Sequence, residues 1–115
     1  MRDKKDTVRL KHMLDAAREA LAFAREKSRP TLNTDRMLLL ALVKSIEIVG
    51  EAASGLSEIC RNQYPAIPWR NIINMRHRLI HAYFDINPDV VWNTVAEDLP
   101  PLMAELEKIL QQDEA

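Results

Sequence analysis

Residues 34–58 read TDRMLLLALVKSIEIVGEAASGLSE. Leu39, Leu42, Ile46, Val49, Ala53 and Leu56 recur at steps of three and four, which is the period of one helical face. Asn33 or Thr34 can cap the start. The stripe predicts a long helix with one side buried. Gly50 falls in its middle, where glycine costs about 1 kcal/mol relative to alanine. That placement predicts close approach of another backbone, from a neighbouring helix or from a second subunit.

Three more helices flank this one. Val8, Leu10, Leu14, Ala17, Leu21 and Ala24 mark a first helix from about Asp6, a candidate N-cap, to Lys27, ended by Ser28–Pro30. Residues 61–68, RNQYPAIP, read as a rigid connector. A third helix starts at Pro68 or Trp69, proline being suited to a first turn, and runs to about Asp85. A fourth opens at Asn87-Pro88-Asp89, a cap, a first-turn proline and an acid at the positive helix end. Val91, Val95, Leu99, Leu102, Leu106 and Ile109 form its stripe, and Pro100 and Pro101 should kink it. Short loops between four helices make antiparallel neighbours. The expectation is all-α: an up-down four-helix bundle with a kinked C-terminal helix, built as one domain over residues 1–115.

Composition agrees. The chain has 115 residues, 47% of them apolar, and only two glycines, Gly50 and Gly55, too few for strands joined by tight turns. No stretch has the run of apolar residues that a membrane span needs, and MRDKKDTVRLKH lacks the apolar core of a signal peptide. Cys60 is the only cysteine. It excludes an intrachain disulfide and a cysteine-based zinc site, and fits a reduced cytoplasm. The net charge of −1 argues against a general nucleic-acid binder. Its distribution is uneven. Between Ile59 and Phe84 stand Arg61, Arg70, Arg76, Arg78, His77 and His81 with no acid, whereas from Asp85 onward there are eight acids and one lysine. A local cationic zone suits one anionic ligand at one place; alternatively it faces the acidic C-terminal helix.

The centre of that zone is MRHRLIHAYFD, Met75 to Asp85. On a helical wheel of about 100° per residue, Asn74, His77, Arg78, His81 and Asp85 share one side, and apolar residues cover about 200° of the rest. Arg76 falls in the apolar arc. A guanidinium there must find partners: an acid of the second helix such as Glu47 or Glu51, or a phosphate held by its planar fork. His77 and His81 stand four apart on one face. They can be surface residues, or two ligands of a metal needing further donors, or part of an RNA-cleaving set. Imidazole moves protons near neutrality, arginine steadies charge building on phosphate, and RNA supplies its own nucleophile, the 2′-hydroxyl. By the wheel, Arg78 shares the face of His81 better than Arg76, which lies about 140° away.

At these residues the sequence resembles the HEPN superfamily, and within it the HepT-like toxins paired with MNT-type nucleotidyltransferase antitoxins. MRHRLIHAYFDI looks like the family's Arg-x4-6-His motif. IEIVGEAASGLS (Ile46 to Ser57) resembles its second helix, PAIPW (Pro65 to Trp69) the entry to the third, and VVWNTVAEDLPPL (Val90 to Leu102) the tryptophan-bearing last helix. The resemblance covers most of the chain. It implies an all-helical, homodimeric, metal-independent endoribonuclease with no cofactor, its cleft shared by two subunits. Carried over, Arg76 is the motif arginine, His81 the motif histidine, and Tyr83 the tyrosine that the nucleotidyltransferase partner can adenylylate. His77 stands where the family commonly has Asn or Asp, and Ala82 where it commonly has Gly. His77 and Arg78 are then auxiliary residues beside an RNA substrate. The resemblance favours Arg76 where the wheel favours Arg78; arginine from one subunit meeting histidine from the other would reconcile them. A second function class stays open: a non-catalytic helical dimer that binds a nucleotide or the nucleotidyltransferase through the same cleft.

Overall fold

The computed structural model describes residues 2–82 and 85–113. Helix α1 spans Lys4–Ala24, followed by a 3-10 turn Arg29–Asn33 and α2, Arg36–Ser54. Then come α3 (Glu58–Gln63), α4 (Trp69–Ile73) and α5 (Met75–Leu79). Strands β1 (Ile80–Ala82) and β2 (Asp85–Ile86) pair antiparallel. Helix α6 (Pro88–Asn93) passes through a π-helical turn, Thr94–Asp98, into α7 (Leu99–Gln112). The class is all-α. Helices α1 and α2 form an antiparallel pair, α7 packs on α1, and α4 with α5 packs on α2.

The stripes read from the sequence line the core. All six apolar positions of the α2 stripe are buried, as are Val91, Val95, Leu99, Leu102, Leu106 and Ile109 of the C-terminal stripe. On α1, Leu10, Leu14 and Ala17 are buried with Met13, while Val8 is 48% exposed. Thus the buried apolar stripe of α1 starts at Leu10, two residues later than its spacing suggests.

The caps shift by a few residues, for reasons visible in the hydrogen bonds. Asp3, not Asp6, caps α1, accepting from Lys5 N at 2.8 Å. Asp35, not Asn33 or Thr34, caps α2, accepting from Leu38 N at 2.9 Å. The second helix ends at Ser54, not near Glu58, and Ser57 caps the short α3, Glu58–Gln63, whose residues from Arg61 onward were expected as connector. Asp6 is freed for another task. Buried, it accepts from Ser57 N at 2.8 Å and from Ser57 Oγ at 2.6 Å, tying the start of α1 to the end of α2. Ser57 Oγ also accepts from Cys60 N at 3.1 Å, so both its hydrogen-bonding roles are used. Trp69 Nε1 donates to the carbonyls of Arg61 and Tyr64, which anchors the connector to α4.

The largest departure concerns the third helix. It does not run to Asp85. After a turn at Asn74 it ends at Leu79, whose carbonyl accepts from Asn87 N at 2.8 Å. Ile80 and Ile86, β-branched residues suited to strand pairing, face each other across β1 and β2. At the other end, the expected break near Pro100 and Pro101 takes the form of the π turn before them. Two prolines cannot donate to the carbonyls one turn back, and Leu99 N instead bonds Thr94 O, five residues away.

Gly50 meets the backbone predicted for it. A Cβ built there would lie 3.2 Å from Ile72 O and 3.5 Å from Ile73 O. Two stability predictions follow from these contacts. Gly50→Leu overpacks the α2–α4 contact and costs about 2 kcal/mol or more, while Gly50→Ala fails to realise the helix-propensity gain of about 1 kcal/mol; urea unfolding measures both. The second concerns Asp6. The Ser57 hydroxyl, then the Ser57 N–H, hold the Asp6 carboxyl below its ordinary range. The folded pKa lies below the unfolded one. The ionised staple therefore contributes fully above about pH 4 and fades as pH falls through the folded value. Asp6→Ala should cost about 2 kcal/mol at pH 7, and the gap from wild type should narrow in unfolding measured near pH 3.

Candidate active site

Helix α5 is short, and its core anchors are Met75 and Leu79, four apart and buried. Between them Arg76, His77 and Arg78 are all exposed. Arg76 therefore does not lie in an apolar interior, as the wheel of one long helix placed it; its side chain is 63% exposed. The wheel was drawn for a helix anchored over its whole length, whereas α5 buries only the narrow edge carrying Met75 and Leu79.

Arg76 and His77 open onto one hollow with Ile73 of α4 and with Glu47, Gly50, Glu51 and Ser54 of α2. Arg76 Nε stands 3.4 Å from Glu47 Oε1. The acid suggested for this arginine is thus Glu47, and Glu51 lies in the same hollow. The close backbone approach at Gly50 forms the hollow's floor, bringing α4 near enough for a residue of α5 to reach across α2.

Arg78 points elsewhere. Its Nη2 lies 3.5 Å from Asn71 O and 4.0 Å from Asp98 Oδ2. It lines a separate groove between α4–α5 and α7, floored by Ile67, Ile72, Met75 and Leu102 and rimmed by Glu97, Asp98 and Glu105. The two arginines of the motif therefore serve different surfaces.

His81 sits in β1, beyond the end of α5. The helical wheel does not relate it to Arg76, Arg78 or His77, so the four-residue histidine spacing is not a shared helical face. The register shifts between Ile80, which pairs with Ile86, and Ala82, which pairs with Asp85. His81 therefore occupies a backbone irregularity between the two pairs. Tyr83 lies outside the described residues.

Among the described residues, the C-terminal acids leave most of this basic segment unpaired with them. The acids of the C-terminal third pair mainly with arginines from the first third of the chain: Asp113 with Arg2, Glu107 with Arg18, and Asp89 with Arg29. Among the described residues, only Arg78 of the basic segment reaches a C-terminal acid. The charge alternative, a basic segment neutralised by the last helix, holds for that one residue.

An exposed arginine and histidine in one hollow, with a second histidine two residues after the helix ends, can bind a phosphodiester and move a proton. Comparison with known proteins points the same way. The family model described as Ribonuclease HepT-like matches residues 13–109. The chain belongs to this HepT-like family. It is 38% identical over 87 residues to a "Probable ribonuclease HepT" of Thermococcus cleftensis, covering 76% of this chain and 79% of that protein. A "Putative RNase" of Caldanaerobacter subterraneus is 38% identical over 79 residues, 69% of this chain and 70% of that one. Another, from Methanocaldococcus jannaschii, is 31% identical over 102 residues, 89% and 84% of the two chains. No solved structure matches the chain. No helix among the described residues is long and apolar enough to cross a membrane.

Proposed function

We propose that this chain is a metal-independent endoribonuclease, the toxin of a HEPN/MNT-type toxin–antitoxin pair, acting in the cytoplasm. Arg76 binds the scissile phosphate through its guanidinium fork and stabilises the charge that develops there. His81 transfers the proton. The RNA 2′-oxygen attacks the neighbouring phosphorus, the 5′-oxygen of the next nucleotide leaves, and the proton lost by the first oxygen balances the one gained by the second. His77 assists from the Arg76 hollow. Arg78, facing the other groove, serves as an auxiliary contact to the RNA backbone.

The observation that carries this reading is the solvent-facing Arg76 beside His77 in the α2–α5 hollow, in a chain whose family bears a ribonuclease description. A homodimer completes the site. Met37, Leu40 and Ile48 are 83%, 45% and 37% exposed. Their helical spacing places them on one face of α2 together with Glu51, which lines the hollow. A second copy seated on this row would border the hollow and bring two α5 segments to one cleft. Adenylylation of Tyr83 by the nucleotidyltransferase partner would add a charged group two residues beyond His81 and silence the site.

Purified protein incubated with total RNA in EDTA is expected to cleave it. Arg76→Ala and His81→Ala should each lower the rate by about 100-fold or more with unchanged melting temperature; full activity in both variants rejects the assignment. Ile48→Glu should shift the protein from dimer to monomer in sedimentation, with cleavage falling in parallel.

A further inference from the structure

The contact between Glu47 and Arg76 has a geometry that matters for whatever Arg76 binds. The carboxylate meets Nε, the inner edge of the guanidinium. Among the described residues no hydrogen bond engages Nη1 or Nη2 of this arginine, so its outer, two-pronged edge stays open. That edge can grip a phosphate with two parallel hydrogen bonds.

The partners are also unequally placed. The Glu47 side chain is 25% exposed and the Arg76 side chain 63% exposed. The acid is held in the wall of the hollow, and the arginine reaches from it into solvent. An ion pair this exposed contributes little to stability. Its consequence is orientation, because a carboxylate 3.4 Å from Nε biases a long flexible side chain toward one direction. The anchor's position is set in turn by the fold. Glu47 and Gly50 lie three apart on one edge of α2, and the α4 backbone crosses at Gly50, which fixes the height at which Arg76 passes Glu47.

We infer that Glu47 is a positioning residue: it holds the inner edge of Arg76 so that the outer edge faces a phosphate of the bound RNA. This rests on the reading of Arg76 as the phosphate-binding residue, and adds to it a group that does not itself touch substrate.

The test uses a 2′-O-methyl oligoribonucleotide, which has the phosphates of RNA but no free nucleophile, so binding is read without cleavage. Glu47→Ala is expected to weaken binding about five- to ten-fold when Arg76 is present and to have no effect in an Arg76→Ala background. Glu47→Gln, which keeps an acceptor oxygen, should restore most of the loss. The Arg76 Nε–H resonance in nitrogen-15 spectra should move in Glu47→Ala, with an unchanged melting temperature. Unchanged binding in Glu47→Ala, or an equal loss with and without Arg76, overturns the inference. If wild-type protein binds the oligomer in this Glu47-dependent way yet cuts no RNA, the ribonuclease reading fails and the positioning role stands.

Discussion

The arrangement of the site depends on one contact, the passage of the α4 backbone over α2 at Gly50. With a Cβ there, the carbonyl of Ile72, 3.2 Å away, would have to retreat. Everything next in the chain is placed by that approach. Met75 and Leu79 drop into the core, Arg76 and His77 come to overlook α2, and Glu47 finds itself opposite a guanidinium rather than in solvent. A mid-helix glycine is a cost to α2 taken alone; here it is the condition for a polar hollow beside a packed core.

Electrostatics then decides what the hollow is suited to. The acidic last third of the chain does not neutralise the basic middle. Asp89, Glu107 and Asp113 are bound to arginines of the first third, and these pairs also close α7 and α6 onto the N-terminal segment, the first helix and the 3-10 turn. The same ion pairs that help hold the bundle leave the Arg76 face to meet an external anion. Glu47 and Glu51 lie in the same hollow and offset this charge at close range, so it is the open fork of Arg76 that suits an anion.

Helix α5 also separates two chemistries across a very short element. One side carries Arg76 and His77 above α2, the other Arg78 above α7, and the buried pair Met75 and Leu79 runs between. Ending the helix at Leu79 matters as much as starting it. A continued helix would fix His81 at about 140° from Arg76. Passage into a strand with a shifted register releases it from that constraint, so the conflict between spacing and family motif rested on a helix that is not there.

The sequence by itself determined the fold class, the stripes of the long helices, the Asn87 cap, the role of Gly50 and the family, because each is written in local periodicity, local hydrogen bonding or a contiguous motif. It also narrowed the partner of Arg76 to two acids. Tertiary structure alone decided that Glu47 is that partner, that Asp6 staples Ser57 instead of capping its own helix, and that the third helix stops at Leu79. These outcomes turn on groups brought together from distant parts of the chain: Asp6 meets Ser57, Arg76 meets Glu47, and the Leu79 carbonyl meets Asn87 N. No periodicity within a single segment encodes which of two competing hydrogen-bond partners will be nearer after folding.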